Sequence, residues 1–148
     1  MKKALVFLLA IPMFAAAPTG YVYWSAADQA GIQKKFTGQK LATDPLGNYG
    51  NHLAMVAHRE ASGEAEVHRD WVDIMIVETG SATVQVGGEA VNGKTTAPGE
   101  IRGSSITGGI RQKVGPGDIL RIPANTPHRV LVQPGQQITY FMVKVAAK

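Results

Sequence analysis

The sequence contains no cysteine among its 148 residues, so neither a disulfide framework nor a thiolate metal site can exist. It also contains no P-loop, no G-x-S-x-G pattern, no heptads and no internal repeat. Its formal charge is only +4, and Lys2 and Lys3 supply two of those charges. The remaining +2 is small and scattered, which argues against a nucleic-acid partner.

Turn residues are plentiful by comparison, with 17 glycines and 8 prolines. They separate short apolar segments, as the many turns of an all-β fold require. The length suits a single domain. We therefore expect one mainly β-structured unit.

The first residues have the pattern of a secretory signal sequence. Met1–Lys3 is a positively charged n-region, and Ala4–Ala17 is a 14-residue apolar segment. The small residues of Ser25–Ala27 favour cleavage before Asp28, because a cut after Ala17 would expose a proline at the new terminus. This pattern predicts a periplasmic or secreted protein that is free of the membrane after cleavage.

An uncleaved membrane anchor is the alternative. No charge occurs in the 24 positions from Ala4 to Ala27, a length that could span a bilayer. Pro12, Pro18 and Gly20 would weaken such a helix, which favours cleavage. In either case we expect the rest of the chain to lie outside the cytoplasm.

Ligand-type side chains occur in two stretches, of which Glu66–Gly80 is the first. Glu66 and His68 are two residues apart and would share one face of a strand. Four residues, enough for a tight turn or bulge, then separate His68 from Asp73. The apolar run Ile74–Val77 is rich in β-branched residues and is typical of a buried strand, which Glu78–Gly80 closes in a turn.

The second stretch is Gly117–His128. Ile119–Pro123 predicts a strand with the proline at its end, where no donor to a neighbouring strand is needed. Asn125 can adopt a positive φ almost as glycine does. This stretch thus places a second histidine directly after a strand and a turn.

Together the stretches resemble the two motifs of the cupin superfamily, G-x5-H-x-H-x3,4-E-x6-G and G-x5-P-x-G-x2-H-x3-N. Six residues fall at the spacings of these motifs: His68, Asp73, Gly80, Gly117, Pro123 and His128. Four positions depart from the pattern: Glu66 for the first histidine, Asp73 for the glutamate, Asn125 for the glycine and Val132 for the last asparagine. The leading glycine of the first motif is displaced to Gly63. A second alignment would place His68 at the first histidine and Asp70 at the second, but it leaves only two residues before Asp73, fewer than the motif has.

The resemblance implies a single cupin-type jelly-roll barrel in residues 51–148, preceded by an arm in residues 28–50 and the leader in residues 1–27. It also implies a divalent metal ion held by Glu66, His68, Asp73 and His128. Two imidazoles with carboxylates suit Mn, Fe or Zn. The alternative is a barrel that has lost its metal, in which both histidines are hydrogen-bonded and Glu66 pairs with an arginine.

Three further side chains could reach the cavity. Asn51–Arg59 predicts a strand, but either of its faces could be inward. His52 and His58 are therefore either cavity residues or hydrogen-bonded histidines outside it. Trp71 lies between the ligand-type residues and either walls the pocket or covers a packing gap.

The two motifs are separated by more residues than a minimal cupin needs. Val91–Lys94 predicts a hairpin, because Asn-Gly suits a type I′ turn. The surplus lies in Thr95–Lys113, which predicts an extra hairpin or ordered excursion that covers the pocket mouth or contacts a second copy in a homodimer. Its charged residues Glu100, Arg102 and Arg111 could face a ligand, a second subunit or solvent.

A barrel mouth of this kind suits a small-molecule ligand. The first hypothesis is an extracytoplasmic metal-dependent enzyme, for which the family suggests oxygenase, isomerase or lyase chemistry. The second is a non-catalytic metal-binding or small-ligand-binding protein. An open coordination position beside an acid–base residue would favour the enzyme, whereas a closed four-ligand shell without His52, His58 or Tyr140 nearby would favour binding.

Overall fold

A computed structural model describes residues 17–148, which form one helix and thirteen strands. These are α1 (Ala26–Phe36), β1 (Leu41–Asn48), β2 (His52–Arg59), β3 (Ala65–His68), β4 (Trp71–Gly80), β5 (Ala82–Val86), β6 (Glu89–Val91), β7 (Lys94–Ala97), β8 (Glu100–Gly103), β9 (Ser105–Thr107), β10 (Ile110–Val114), β11 (Ile119–Ile122), β12 (His128–Leu131) and β13 (Ile138–Ala146).

The strands pair in an antiparallel manner to make two large sheets and a two-stranded one. The first sheet has the order β1-β2-β13-β4-β11, the second has the order β10-β5-β12-β3-β8-β7, and β6 pairs with β9. One apolar core joins the large sheets, with Met75 and Tyr140 from the first packed with Val84 and Val130 from the second. The predicted all-β jelly-roll barrel is therefore confirmed.

Inward-facing side chains of the first sheet lie in rows, because residues paired across antiparallel strands stand side by side. One row contains Leu53, Lys144 and Asp73 on β2, β13 and β4. The next row contains three methionines, Met55, Met142 and Met75. The row after that contains Ala57, Tyr140 and Val77. The sequence did not decide which face of β2 points inward. In the structure, Leu53, Met55 and Ala57 face the cavity.

The segment predicted as an arm contains α1 and β1. Ser25 is the N-cap of α1 and forms a capping box with Asp28. Ile32 and Phe36 of the helix pack on Val56, which lies on the outward face of β2. Strand β1 pairs with β2 along its length, so the barrel sheet begins at Leu41 rather than at residue 51.

The surplus segment supplies strands to the second sheet and, through β9, to the two-stranded sheet. Strand β8 pairs with both β3 and β7, so Glu100–Gly103 lies beside Ala65–His68. The hairpin prediction at Val91–Lys94 is wrong, because β6 pairs with β9 while β7 pairs with β8. Asn92 does adopt a positive φ of 53°, and its turn carries the chain from the small sheet to the large one.

The leader prediction falls mostly on residues outside the described range, and it stays a prediction. Within residues 17–148, no helix has the length and apolar character that a membrane crossing requires. The predicted cut before Asp28 falls inside the first turn of α1 and would remove the capping residue Ser25.

Candidate metal centre

The predicted ligands meet in a cavity of about 470 Å³ inside the barrel. Glu66 and His68 alternate on β3 and point the same way. His128 on β12 pairs with Glu66 across the strands, and Asp73 comes from β4 in the opposite sheet. The cavity wall also includes Trp71, so this residue walls the pocket.

Two imidazole nitrogens and two carboxylate oxygens face one another across a short gap. His68 Nε2 lies 3.5 Å from Glu66 Oε2 and 3.5 Å from Asp73 Oδ2. His128 Nε2 lies 3.4 Å from Asp73 Oδ2 and 3.9 Å from Glu66 Oε2. Glu66, His68 and His128 offer ligand atoms that all lie within 4.8 Å of one another. Asp73 is not part of that mutual group, although its Oδ2 lies close to both imidazoles.

The turn before His128 contributes to this placement. Asn125 has a φ of 59°, as its sequence position predicted. Its backbone N–H donates to the carbonyl oxygen of His68 at 2.8 Å, which ties the turn to the end of β3. The turn therefore holds the two histidine-bearing strands together beside the cavity.

Hydrogen bonds orient both imidazoles with Nε2 toward the gap. His68 Nδ1 lies 2.6 Å from Glu100 Oε2, and His128 Nδ1 lies 3.0 Å from the carbonyl oxygen of Thr126. Because a carboxylate and a carbonyl accept hydrogen bonds, both Nδ1 atoms act as donors, and in the neutral tautomer each ring then turns its Nε2 lone pair to the gap. His68 Nε2 is buried and has no hydrogen-bond partner among the described residues. A buried polar atom without a partner is costly and calls for an explanation.

Cations surround the acidic ligands. Glu66 Oε1 lies 2.9 Å from Arg59 and Oε2 lies 2.7 Å from Arg102. Burial opposes ionisation of Glu66, but its contact with His68 and the charges of both arginines hold its pKa well below its usual range. The features expected for a metal-free barrel are therefore present, because Glu66 pairs with arginines and both histidines are hydrogen-bonded through Nδ1. That alternative gives no partner to the buried His68 Nε2.

Asp73 has its own cation. It is 2% exposed, and its Oδ1 accepts a hydrogen bond of 2.7 Å from Lys144 Nζ. Burial raises the pKa of Asp73, but its contacts with His128 and Lys144 lower the pKa by more than burial raises it. The pKa of Asp73 is therefore below its usual value. This leaves Oδ2 as the oxygen that faces the imidazoles.

The separations between the imidazole nitrogens and the carboxylate oxygens are compatible with a shared metal ion. Ligand atoms about 2.1 Å from a tetrahedrally coordinated ion lie about 3.4 Å apart. The four measured separations between imidazole nitrogens and carboxylate oxygens run from 3.4 to 3.9 Å. The contact of His68 Nδ1 with Glu100 matches the carboxylate–histidine arrangement that orients metal-bound imidazoles.

The other histidines lie outside the cavity. His58 Nδ1 is 2.7 Å from Thr139 Oγ1, and its ring stacks on Phe36 of α1. The ring of His52 stacks on Tyr49. Neither is an acid–base group for the centre.

Several functional residues were missed or left open by the sequence. Arg59 and Lys144 were missed. Each is the charged residue that ends a row of alternate, inward-facing side chains, Arg59 on β2 and Lys144 on β13, and that alternation could have indicated them. Glu100 and Arg102 were left open between a ligand, a subunit contact and solvent, and they contact His68 and Glu66. Arg111 is exposed on β10 and is not part of the cavity wall.

Comparison with known proteins supports the cupin fold. No protein-family model and no curated protein matches the sequence. Solved structures do match, including the polyketide cyclase RemF from Streptomyces resistomycificus, with a TM-score of 0.52 and 17% identity over 72% of this chain and 66% of that one. A putative mannose-6-phosphate isomerase from Ralstonia eutropha has a TM-score of 0.53 and 18% identity over 75% of this chain and 89% of that one.

A cupin superfamily protein from Desulfitobacterium hafniense matches with a TM-score of 0.53 and 10% identity, over 74% of this chain and 80% of that chain. At these identities the likeness establishes the fold alone. The chain therefore has the cupin jelly-roll fold that the sequence predicted. What it binds or catalyses must be argued from the site.

Proposed function

We propose that this chain is an extracytoplasmic cupin that binds a divalent first-row metal ion, Mn, Fe or Zn, and takes a small molecule into the barrel. Glu66, His68, Asp73 and His128 would hold the ion. Its extracytoplasmic location rests on the signal-like pattern of residues 1–27. The ion and the location are independent parts of the proposal and need separate tests.

One observation carries the metal proposal. His68 Nε2 is buried without a hydrogen-bond partner, and Glu100 holds the opposite nitrogen as a donor. His128 Nε2 points to the same place. An ion between the two Nε2 atoms would accept both lone pairs. Among the described residues, no other group pairs with His68 Nε2.

The residues around the centre have separable roles in this proposal. Glu100 would orient His68, and Lys144 would keep the free oxygen of Asp73 turned toward the imidazoles. Burial raises the pKa of Tyr140 more than the neighbouring Arg59 lowers it. Its hydroxyl thus keeps its proton and can donate a hydrogen bond, but it is a poor general base. When bound, the ion would supply Lewis-acid polarisation of a ligand oxygen or activation of water.

Metal analysis of purified protein tests the proposal. We expect about one equivalent of metal in the wild-type protein and a melting temperature that falls on chelation, because an ion bound only by the folded state stabilises it. His128→Ala should lose both the metal and the effect of the chelator. His58→Ala is the matched control and should keep both. Stoichiometric metal in His128→Ala would rule out the centre described above.

A non-catalytic binding protein is the second candidate. Four protein ligands could close the shell, and His52 and His58 lie away from it, which favours binding over catalysis. Tyr140 remains as a proton donor at the cavity, and the structures similar to this chain include a polyketide cyclase and a putative mannose-6-phosphate isomerase. Spectroscopy of the cobalt-substituted protein separates the candidates. A four-coordinate spectrum that ligands leave unchanged indicates binding alone, whereas ligand-dependent changes indicate an open position.

A further inference from the structure

Six charged side chains around the imidazoles form a balanced cluster; Arg129, a further cation of the cavity lining, donates to the carbonyl oxygen of Gly63 instead. Three carboxylates and three cations meet in this cluster, and every carboxylate has a cation within 3.4 Å: Glu66 with Arg59 and Arg102, Asp73 with Lys144, and Glu100 with Arg102. Metal ligation requires neutral imidazoles. The charges of these six side chains therefore sum to zero before an ion is bound.

A divalent ion in this setting brings two positive charges that no side chain of the cluster neutralises. The surroundings are poorly hydrated, since the side chains of Asp73 and Arg59 are only 2% and 11% exposed. Unpaired charge is costly in such an environment. A ligand that carries negative charge to the ion is therefore favoured over a neutral ligand of the same shape.

Much of the remaining wall of the cavity is apolar, with Thr43, Arg129 and Tyr140 as its polar members. Met55, Met142 and Met75 stand side by side in one row across three strands, and all three line the cavity together with Leu53 and Trp71. Methionine thioethers are flexible and adapt to apolar ligand surfaces of different shape. The row directly beside them contains Lys144 and Asp73, so the charged and apolar parts adjoin.

We infer that the ligand of this cavity is a small organic acid. Its carboxylate would lie next to the ion and Lys144, and its short apolar part would lie on the methionine row. This inference rests on the proposed metal centre and adds the chemical class of its ligand. The cavity volume of about 470 Å³ lies within the range of small-molecule sites.

Carboxylates and their primary amides are the probes that test this inference. Straight and branched acids of about three to eight carbons, each paired with its amide, are titrated into zinc-loaded protein by calorimetry. We expect the preferred acid to bind about tenfold or more tightly than its amide, a difference of about 1.4 kcal/mol. The preference should shrink after zinc removal, and longer apolar parts should improve binding.

Two variants locate the interaction. Lys144→Met removes a cavity cation and, compared at equal zinc content, should reduce the preference for the acid over its amide. Lys113→Met, at an exposed position on β10, is the matched control. If Lys144→Met fails to fold, Arg102→Gln serves in its place. Met55→Gln should reduce the gain from longer apolar parts.

Zinc is quantified in every sample, which separates the two proposals. Protein without zinc after loading would contradict the metal centre. Zinc-loaded protein that binds amides as tightly as acids, or binds no acid of the panel, would overturn the inference and leave the metal centre standing. An acid preference that survives equally in Lys144→Met would contradict the assigned position of the carboxylate.

Discussion

His68 and Glu100 are 32 residues apart in the chain, yet the imidazole Nδ1 and the carboxylate Oε2 lie 2.6 Å apart. Their strands, β3 and β8, are paired with these two residues directly opposite each other. The segment that looked surplus to a minimal barrel thus supplies the group that determines which nitrogen of His68 faces the cavity.

Weakening this contact should weaken metal binding. Glu100→Gln replaces the carboxylate by a neutral amide and should lower metal affinity by about 10- to 100-fold, as loss of an orienting partner does in other metal sites. Competition with a fluorescent chelator measures the affinity. Glu89→Gln, at an exposed position on β6, is the matched control and should bind metal as the wild type does. Unchanged affinity in Glu100→Gln would mean that Glu100 does not orient a ligand.

The pair formed by Lys144 and Asp73 should be important for the metal-free protein. Lys144→Met leaves Asp73 buried without its cation and should lower the free energy of unfolding by about 3 kcal/mol. Saturating metal should reduce that loss, because the ion compensates the carboxylate. Urea titrations with and without metal measure both values.

The double variant Lys144→Met/Asp73→Leu gives an internal check on this pair. It removes both charges, so the metal-free protein should recover most of the lost stability, while metal affinity should stay low. A double variant as unstable as Lys144→Met alone would show that packing, not the ion pair, caused the loss.

Gly80, the last residue of the first motif, should not tolerate a side chain. Its φ is +74°, and a Cβ would collide with the carbonyl oxygen of Gln137. Gly80→Ala should therefore lower the free energy of unfolding by about 2 kcal/mol or more. Gly115→Ala is the matched control, since nothing lies within 4 Å of the added Cβ. Thermal unfolding of the two variants should separate them clearly.

The predicted cleavage site can be tested together with the helix cap. Intact mass of secreted material should give a chain that starts near Asp28, in which Ser25→Ala can have no effect on stability. If the mature chain retains Ser25, the same substitution should destabilise it by about 1 kcal/mol through loss of the cap. Full-length chain in the membrane fraction would favour the anchor.

Local patterns were sufficient for part of the site. The alternation of Glu66 and His68 predicted that both face one way, and the spacing to Asp73 and Gly80 predicted the strand and turn that follow. Asn125 was expected at a positive φ and has one. These features depend on the backbone geometry of a few consecutive residues, which is why a single sequence can indicate them.

Other elements could not be assigned from local patterns. Val91–Lys94 has the composition of a hairpin turn, but the strands beside it find other partners. Residues 41–48 look irregular because Asp44–Gly47 reads as a turn. They form an edge strand whose pairing with β2 is irregular between Pro45 and Gly47. In both cases long-range pairing outweighs local preference.

By itself, the sequence determined the fold class and the identity of the residues that could bind a metal, because periodicity and motif spacing are properties of the chain. Only the tertiary structure decided which side chains surround those residues. Arg59, Arg102 and Lys144 come from strands far apart in sequence, and strand register alone brings them against Glu66 and Asp73. Register depends on pairing between distant segments, so the charge balance of the cavity appears only once the barrel has closed.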